Sequence, residues 1–164
     1  MSEPILTAQD VLKWYETTSD HWRKFLAEHP DILAIPCDIA NTKTIAEFMQ
    51  HIVAVELRYA ERIAHIPETP YEQVAYDSVE ALYATHDRAT QILKRALAAN
   101  HDWSEMIEFQ TRSYGSLRAS LKTIYFHALL HSLRHYAQLG TLVRQHGYKP
   151  TWPGDYLFIG VERV

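Results

Sequence analysis

Four long stretches of the sequence repeat apolar residues at the spacing of an α-helix, and this repeat limits the folds open to the chain. The first stretch is TAQDVLKWYETTSDHWRKFLAEHP. Its recurring apolar residues are Val11, Leu12, Tyr15, Trp22 and Leu26. Thr7 with Asp10 three residues later has the pattern of a capping box, and Pro30 stops the stretch. We therefore predict an amphipathic helix over residues 8–28.

The other three stretches predict helices over about residues 44–66, 77–99 and 116–146. The second helix begins near Thr44 and stops before Pro67, and Gly147 is placed to end the last helix. Four amphipathic helices pack stably as a bundle, whose sites are built from side chains on facing helices. The sequence thus predicts an all-α four-helix bundle.

The segment SEMIEFQTRSYGS, before the last helix, has a different pattern. Ile107 and Phe109 alternate with polar residues near Gly115, which predicts a short irregular or hairpin excursion. The tail over residues 147–164 is too apolar to be left in water. We expect the tail to pack on the bundle or on a second subunit.

Composition predicts one domain over residues 1–164. Of the 164 residues 47% are hydrophobic, which is enough for a core. The net charge is −4 and Arg and Lys are scattered, so we expect no nucleic-acid partner. No apolar run approaches the roughly 20 residues that span a bilayer, and no signal-peptide pattern is seen, so we expect a cytoplasmic protein without a membrane partner. Cys37 is the lone cysteine, so any metal must rely on His, Asp or Glu.

The stretch HALLHSLRHYAQLG spaces His127, His131 and His135 four residues apart on the last helix. Residues four apart are turned by about 40°, with Cβ atoms about 6 Å apart, so His131 and His135 can direct nitrogens at one ion. Three ligands on one straight helix would span about 12 Å, too far for one ion. A second helix must contribute. His51 is the best candidate because it lies among apolar residues, and His65 is a weaker one.

Spacing alone also allows a structural interpretation of these histidines. In that interpretation His127 and His131 are core histidines hydrogen-bonded to backbone or tyrosine hydroxyls, and His135 is solvated. The spacing does not decide between metal binding and packing.

The last helix and His51 together resemble a known family. HSLRHYAQLGTLVRQHG is similar to the H-x-x-x-H-x-x-Q helix and RQ-x-G turn of the DinB-like superfamily, and the resemblance covers about residues 8–147. It implies a bundle of up-down-down-up course, often dimeric. It also implies that His51, His131 and His135 bind a divalent metal, zinc or nickel. The chain departs from the family's H-R-G-Q form, because Tyr136 and Ala137 stand in place of the arginine and glycine.

Four further residues are candidates for the wall of the site, namely His127, Gln138, Arg58 and Tyr59. Arg58 and Tyr59 share the face of His51, where they could anchor an anion and donate a hydrogen bond. Gln138 lies about one turn beyond His135 and could hydrogen-bond a ligand ring. For each of the four, an ordinary packing or surface role is the alternative.

Two other reactive side chains are expected to be structural. Glu56 follows His51 by five residues and is turned about 140° away, so we expect a salt-bridge partner within the bundle or at an interface. Cys37 lies in a loop with no histidine near it in sequence, so we expect a buried, inert thiol.

Three neutral imidazoles leave an ion with an open position, as in catalytic zinc sites. By resemblance, the reaction expected first is that of a thiol-dependent transferase or isomerase acting on a low-molecular-weight thiol and a small electrophilic substrate. Two alternatives are a metal-dependent hydrolase and a dimeric stress-related interaction protein whose metal is structural or vestigial. The residues alone do not choose among these functions.

Overall fold

The computed structural model describes residues 4–162 and Val164, and this part of the chain is mostly helical. Its four α-helices are α1 (Ala8–Glu28), α2 (Ile45–Ile63), α3 (Val79–Ala98) and α4 (Leu121–Gln145). Two short strands, β1 (Met106–Gln110) and β2 (Ser116–Ser120), pair in the antiparallel sense between α3 and α4. None of the helices in the described residues is long and apolar enough to cross a membrane.

A hydroxyl side chain caps the N-terminus of each of these four helices. Thr7 accepts a hydrogen bond from the Asp10 amide, and the Asp10 carboxylate accepts one from the Thr7 amide, so the predicted capping box is confirmed. Thr44, Ser78 and Ser120 cap α2, α3 and α4 in the same way. Each hydroxyl satisfies an amide that has no partner within its helix.

The predicted start of the last helix at residue 116 is wrong. Ser116–Ser120 forms strand β2, and α4 begins at Leu121. Gly115 has a φ of +69°, which suits glycine and lets the chain turn between the strands. The half-buried side chains of Ile107 and Phe109 on β1 then hold the pair of strands against the bundle, and this packing overrides the helical pattern of SLRAS.

The apolar core lies between the helices, with α2 packed against both α3 and α4, and α1 packed against α4 and α3. Its largest fully buried side chains include Tyr15, Leu26, Phe48, Leu82, Leu93, Tyr125 and Tyr136. In the tail, Trp152 packs edge-on against Trp22 and Trp14 Nε1 donates to the Gly154 carbonyl. The tail therefore packs on α1, the first of the two alternatives predicted for it.

A polar network crosses the core and joins all four helices. The Glu56 side chain on α2 is fully buried, and its carboxylate accepts a hydrogen bond from Ser132 on α4 at 2.8 Å. The other carboxylate oxygen lies 2.8 Å from His86 Nδ1 on α3. The Ser19 hydroxyl and the Tyr15 hydroxyl, both on α1, hydrogen-bond the two ring nitrogens of His86. The prediction that Glu56 is a partner within the bundle is confirmed.

We expect Glu56→Ala to lower the free energy of unfolding by about 3–5 kcal/mol, because it leaves buried polar groups without their partner. Urea denaturation followed by circular dichroism would measure the loss. Glu72→Ala is the control, because Glu72 is exposed on a short 3-10 helix between α2 and α3. A loss at Glu56 no larger than that at Glu72 would show that the network does not stabilise the fold.

Candidate metal centre

Three imidazole rings from two helices meet at one point. His51 on α2 and His135 on α4 both direct Nε2 toward His131 Nε2, at distances of 3.2 and 3.1 Å. The potential ligand atoms of the three residues all lie within 4.8 Å of one another. Among the described residues this is the only such group of three His, Cys, Asp or Glu side chains. The fold therefore brings together the three histidines that the sequence singled out.

The spacing of the nitrogens fits a shared ion. Nitrogens bound to zinc at about 2.0–2.1 Å with tetrahedral angles lie about 3.3 Å apart. The two Nε2 separations at His131 are close to that value. Hydrogen bonding accounts less well for the arrangement, because Nε2 of a neutral ring has either one proton to donate or one lone pair to accept with, and His131 Nε2 faces two nitrogens. Three imidazole nitrogens suit zinc, nickel, copper and iron alike.

Burial keeps these rings neutral at physiological pH. It lowers the pKa of His51 to about 4, with further contributions from His135 and Arg112. It lowers the pKa of His131 to about 2, and the neighbouring rings of His135 and His51 add to the effect. The pKa of His135 is also lowered, again chiefly by burial. Neutral imidazole is the form that binds metals, so the site is ready for a cation without releasing protons.

The tautomer of His135 is set by Gln138. The ring Nδ1 lies 2.6 Å from Gln138 Oε1, an acceptor, so Nδ1 carries the proton and donates it. The lone pair of His135 is then on Nε2, which faces the other two rings. This is the contact that the sequence suggested for Gln138. In His131 the Nδ1 atom is buried, and no described residue hydrogen-bonds it.

A cavity of about 550 Å³ opens onto the three nitrogens. The four sequence candidates, His127, Gln138, Arg58 and Tyr59, all line it. The His127 ring packs against Tyr59, with centroids 4.7 Å apart, but is not one of the three converging residues. Arg58 is already paired with Glu68 at 3.0 Å, so it is less available as an anion anchor than the sequence suggested.

Sequence reasoning missed three arginines that line the cavity, namely Arg62, Arg112 and Arg134. The Arg112 guanidinium, in the turn between β1 and β2, lies 3.7 Å from the centroid of the Tyr71 ring. Arg134 NH2 lies 3.3 Å from His135 Nε2. Arg134 could have been found, because it follows His131 by three residues and so shares its face. No local signal identifies Arg112, whose position depends on how the strands fold over the bundle.

Cys37 lies outside this site. It is 8% exposed, its sulfur accepts a hydrogen bond from Thr42 Oγ1, and it does not line the cavity. These contacts agree with the expected inert thiol.

A comparison with family models matches residues 1–159 to the model described as the DinB family. A comparison with curated proteins found no match.

The low pKa values of these histidines predict how stability depends on pH. Between pH 6.5, the ordinary histidine pKa, and about 4, the folded protein binds fewer protons than the unfolded chain. The free energy of unfolding of chelator-treated protein should therefore fall as the pH drops through this range. Urea titrations at several pH values would measure it. His51→Gln should make the free energy of unfolding less dependent on pH. An unchanged slope in that variant would contradict the lowered pKa of His51.

Proposed function

Because the chain belongs to the DinB family, we propose that it is a divalent-metal-binding protein and a metal-dependent enzyme of the thiol-dependent transferase or isomerase kind. One observation carries the proposal: three neutral Nε2 atoms converge on the wall of a cavity large enough for a small substrate. His51, His131 and His135 would hold a zinc or nickel ion. When bound, the ion would supply Lewis acidity that lowers the pKa of a thiol or water.

The chain's own residues would position the reactants. Burial keeps the three rings neutral, and Gln138 fixes the tautomer of His135. The rings of Tyr59 and His127 wall the cavity between α2 and α4. In the transfer proposed, a bond forms between the thiol sulfur and the electrophilic carbon, the leaving group takes the bonding electrons, and the thiol proton passes to solvent.

The open cavity favours an enzyme over the interaction protein considered above. A structural site would be closed by a fourth protein ligand. Within the described residues, no fourth His, Cys, Asp or Glu joins the three histidines. A metal-dependent hydrolase would use the same site and remains the second candidate function.

We also propose that residues 1–164 form one domain of up-down-down-up course and that the protein is a homodimer in the cytoplasm. Support for the course comes from four contacts: Glu56 with His86, Glu61 with Arg88, His51 with His135, and Tyr59 with His127. Residue numbers rise together in the α2–α3 pairs and oppositely in the α2–α4 pairs. The exposed tail residues Leu157 and Phe158 support a second copy.

Elemental analysis of protein purified without any chelator should find about one divalent ion per chain. The ion should be lost in His51→Ala and in His131→Ala, which remove ligands from different helices. His127→Ala is the matched control, because His127 lies one turn from His131 but outside the converging group. Wild-type protein that binds no ion even after addition of zinc or nickel would overturn the proposal.

Metal-loaded protein should catalyse conjugation of a low-molecular-weight thiol such as glutathione, cysteine or coenzyme A with 1-chloro-2,4-dinitrobenzene. Absorbance of the dinitrophenyl thioether measures the rate. We expect His131→Ala to lower it by at least about 100-fold, the upper end of the loss seen for groups that only orient a ligand. His146→Ala, an exposed change at the end of α4, should keep the wild-type rate. A tightly bound ion without conjugation of any of these thiols would favour the hydrolase or the interaction protein.

A further inference from the structure

The cavity beside the three histidines is positively charged, although the chain as a whole is acidic. Four arginines line it, namely Arg58, Arg62, Arg112 and Arg134, and no Asp or Glu among the described residues does. The formal net charge of the whole chain is −4. A basic cavity on an acidic chain is therefore a local arrangement and does not follow from overall composition.

Two of the four arginines are committed to structure. Arg62 is 6% exposed and donates to Glu68 Oε1 at 2.6 Å and to the Gln110 carbonyl at 2.9 Å. Arg58 donates to the same carboxylate at 3.0 Å. Glu68 thus offsets one of these two charges, and the shared carboxylate holds both guanidinium groups in the cavity wall.

In the part of the chain that the structure describes, the other two arginines have no carboxylate partner. Among the described residues, no Asp or Glu oxygen lies within 4.0 Å of Arg112 or Arg134. Arg112 is held over the face of Tyr71, and Arg134 reaches the rim of the histidine site through its contact with His135. One guanidinium comes from the turn between the strands and the other from α4, so they approach the cavity from different elements.

We propose that Arg112 and Arg134 bind an oxyanion group, a carboxylate or a phosphate, of a small-molecule substrate in this cavity. A guanidinium matches the geometry of either group with paired hydrogen bonds. The cavity volume of about 550 Å³ suits a small molecule rather than a polymer. The positive wall also attracts anions from solution and excludes cationic substrates.

This inference rests on the proposed function, because it names the substrate class of the same cavity. The anion would lie beside the three histidine nitrogens. Its negative charge would be opposite in sign to the positive charge of a metal ion bound there. A substrate held through its oxyanion group by Arg112 and Arg134 would then present its remaining atoms to the histidine site.

Titration calorimetry with succinate and, separately, with inorganic phosphate tests the proposal on metal-loaded protein. We expect at least one anion to bind with a Kd below about 1 mM, and Arg112→Gln and Arg134→Gln each to raise that Kd about tenfold. Arg118→Gln is the matched control, because Arg118 lies on the neighbouring strand and does not line the cavity. The anion that binds more tightly identifies the group.

The His51→Ala variant separates this inference from the proposed function. Anion binding that survives in His51→Ala but weakens in the arginine variants supports the arginine site, even if elemental analysis finds no metal in the wild type. Anion binding that is lost in His51→Ala and unchanged in both arginine variants would mean that the ion alone binds the anion, which would overturn the inference. Absence of binding by either anion to wild-type protein would also overturn it.

Discussion

The buried carboxylate of Glu56 sets a constraint on which the rest of the structure depends. A carboxylate with no exposure to water must find hydrogen-bond partners inside the protein. It finds them in Ser132 on α4 and His86 on α3, and His86 carries the network on to α1. Ser132 directly follows His131 in the chain. The register of α2 against α4 that satisfies Glu56 therefore also brings His131 to the site.

The same burial controls the chemistry of the histidines. Removing three imidazoles from water costs most in their protonated forms, so the fold holds them neutral. Arginines in the cavity wall act in the same direction, because a positive charge nearby disfavours a second one. The result is a set of lone pairs beside a basic surface. Such a site offers nitrogen donors for the proposed metal and a positive wall for the proposed anion.

The helices and the converging histidines could be predicted from the sequence because both depend largely on local spacing. Apolar residues three and four apart define one face of a helix, and His131 and His135 share a face for the same reason. His51 could be named because a polar ring in an apolar stretch is costly without a partner. The start of α4 could not be predicted, because residues 116–120 have a helical pattern that pairing with β1 overrides.

Local patterns in the sequence specify the four amphipathic helices, the histidine pair on the last of them, and the candidate third histidine. Each of these follows from residues close together in the chain. Long-range packing, by contrast, pairs Glu68 with Arg58 and Arg62. Among the described residues it also leaves Arg112 and Arg134 at the cavity without carboxylate partners. These outcomes depend on how the strands and the loop after α2 fold over the bundle, and long-range packing of that kind leaves no periodic signal in the sequence.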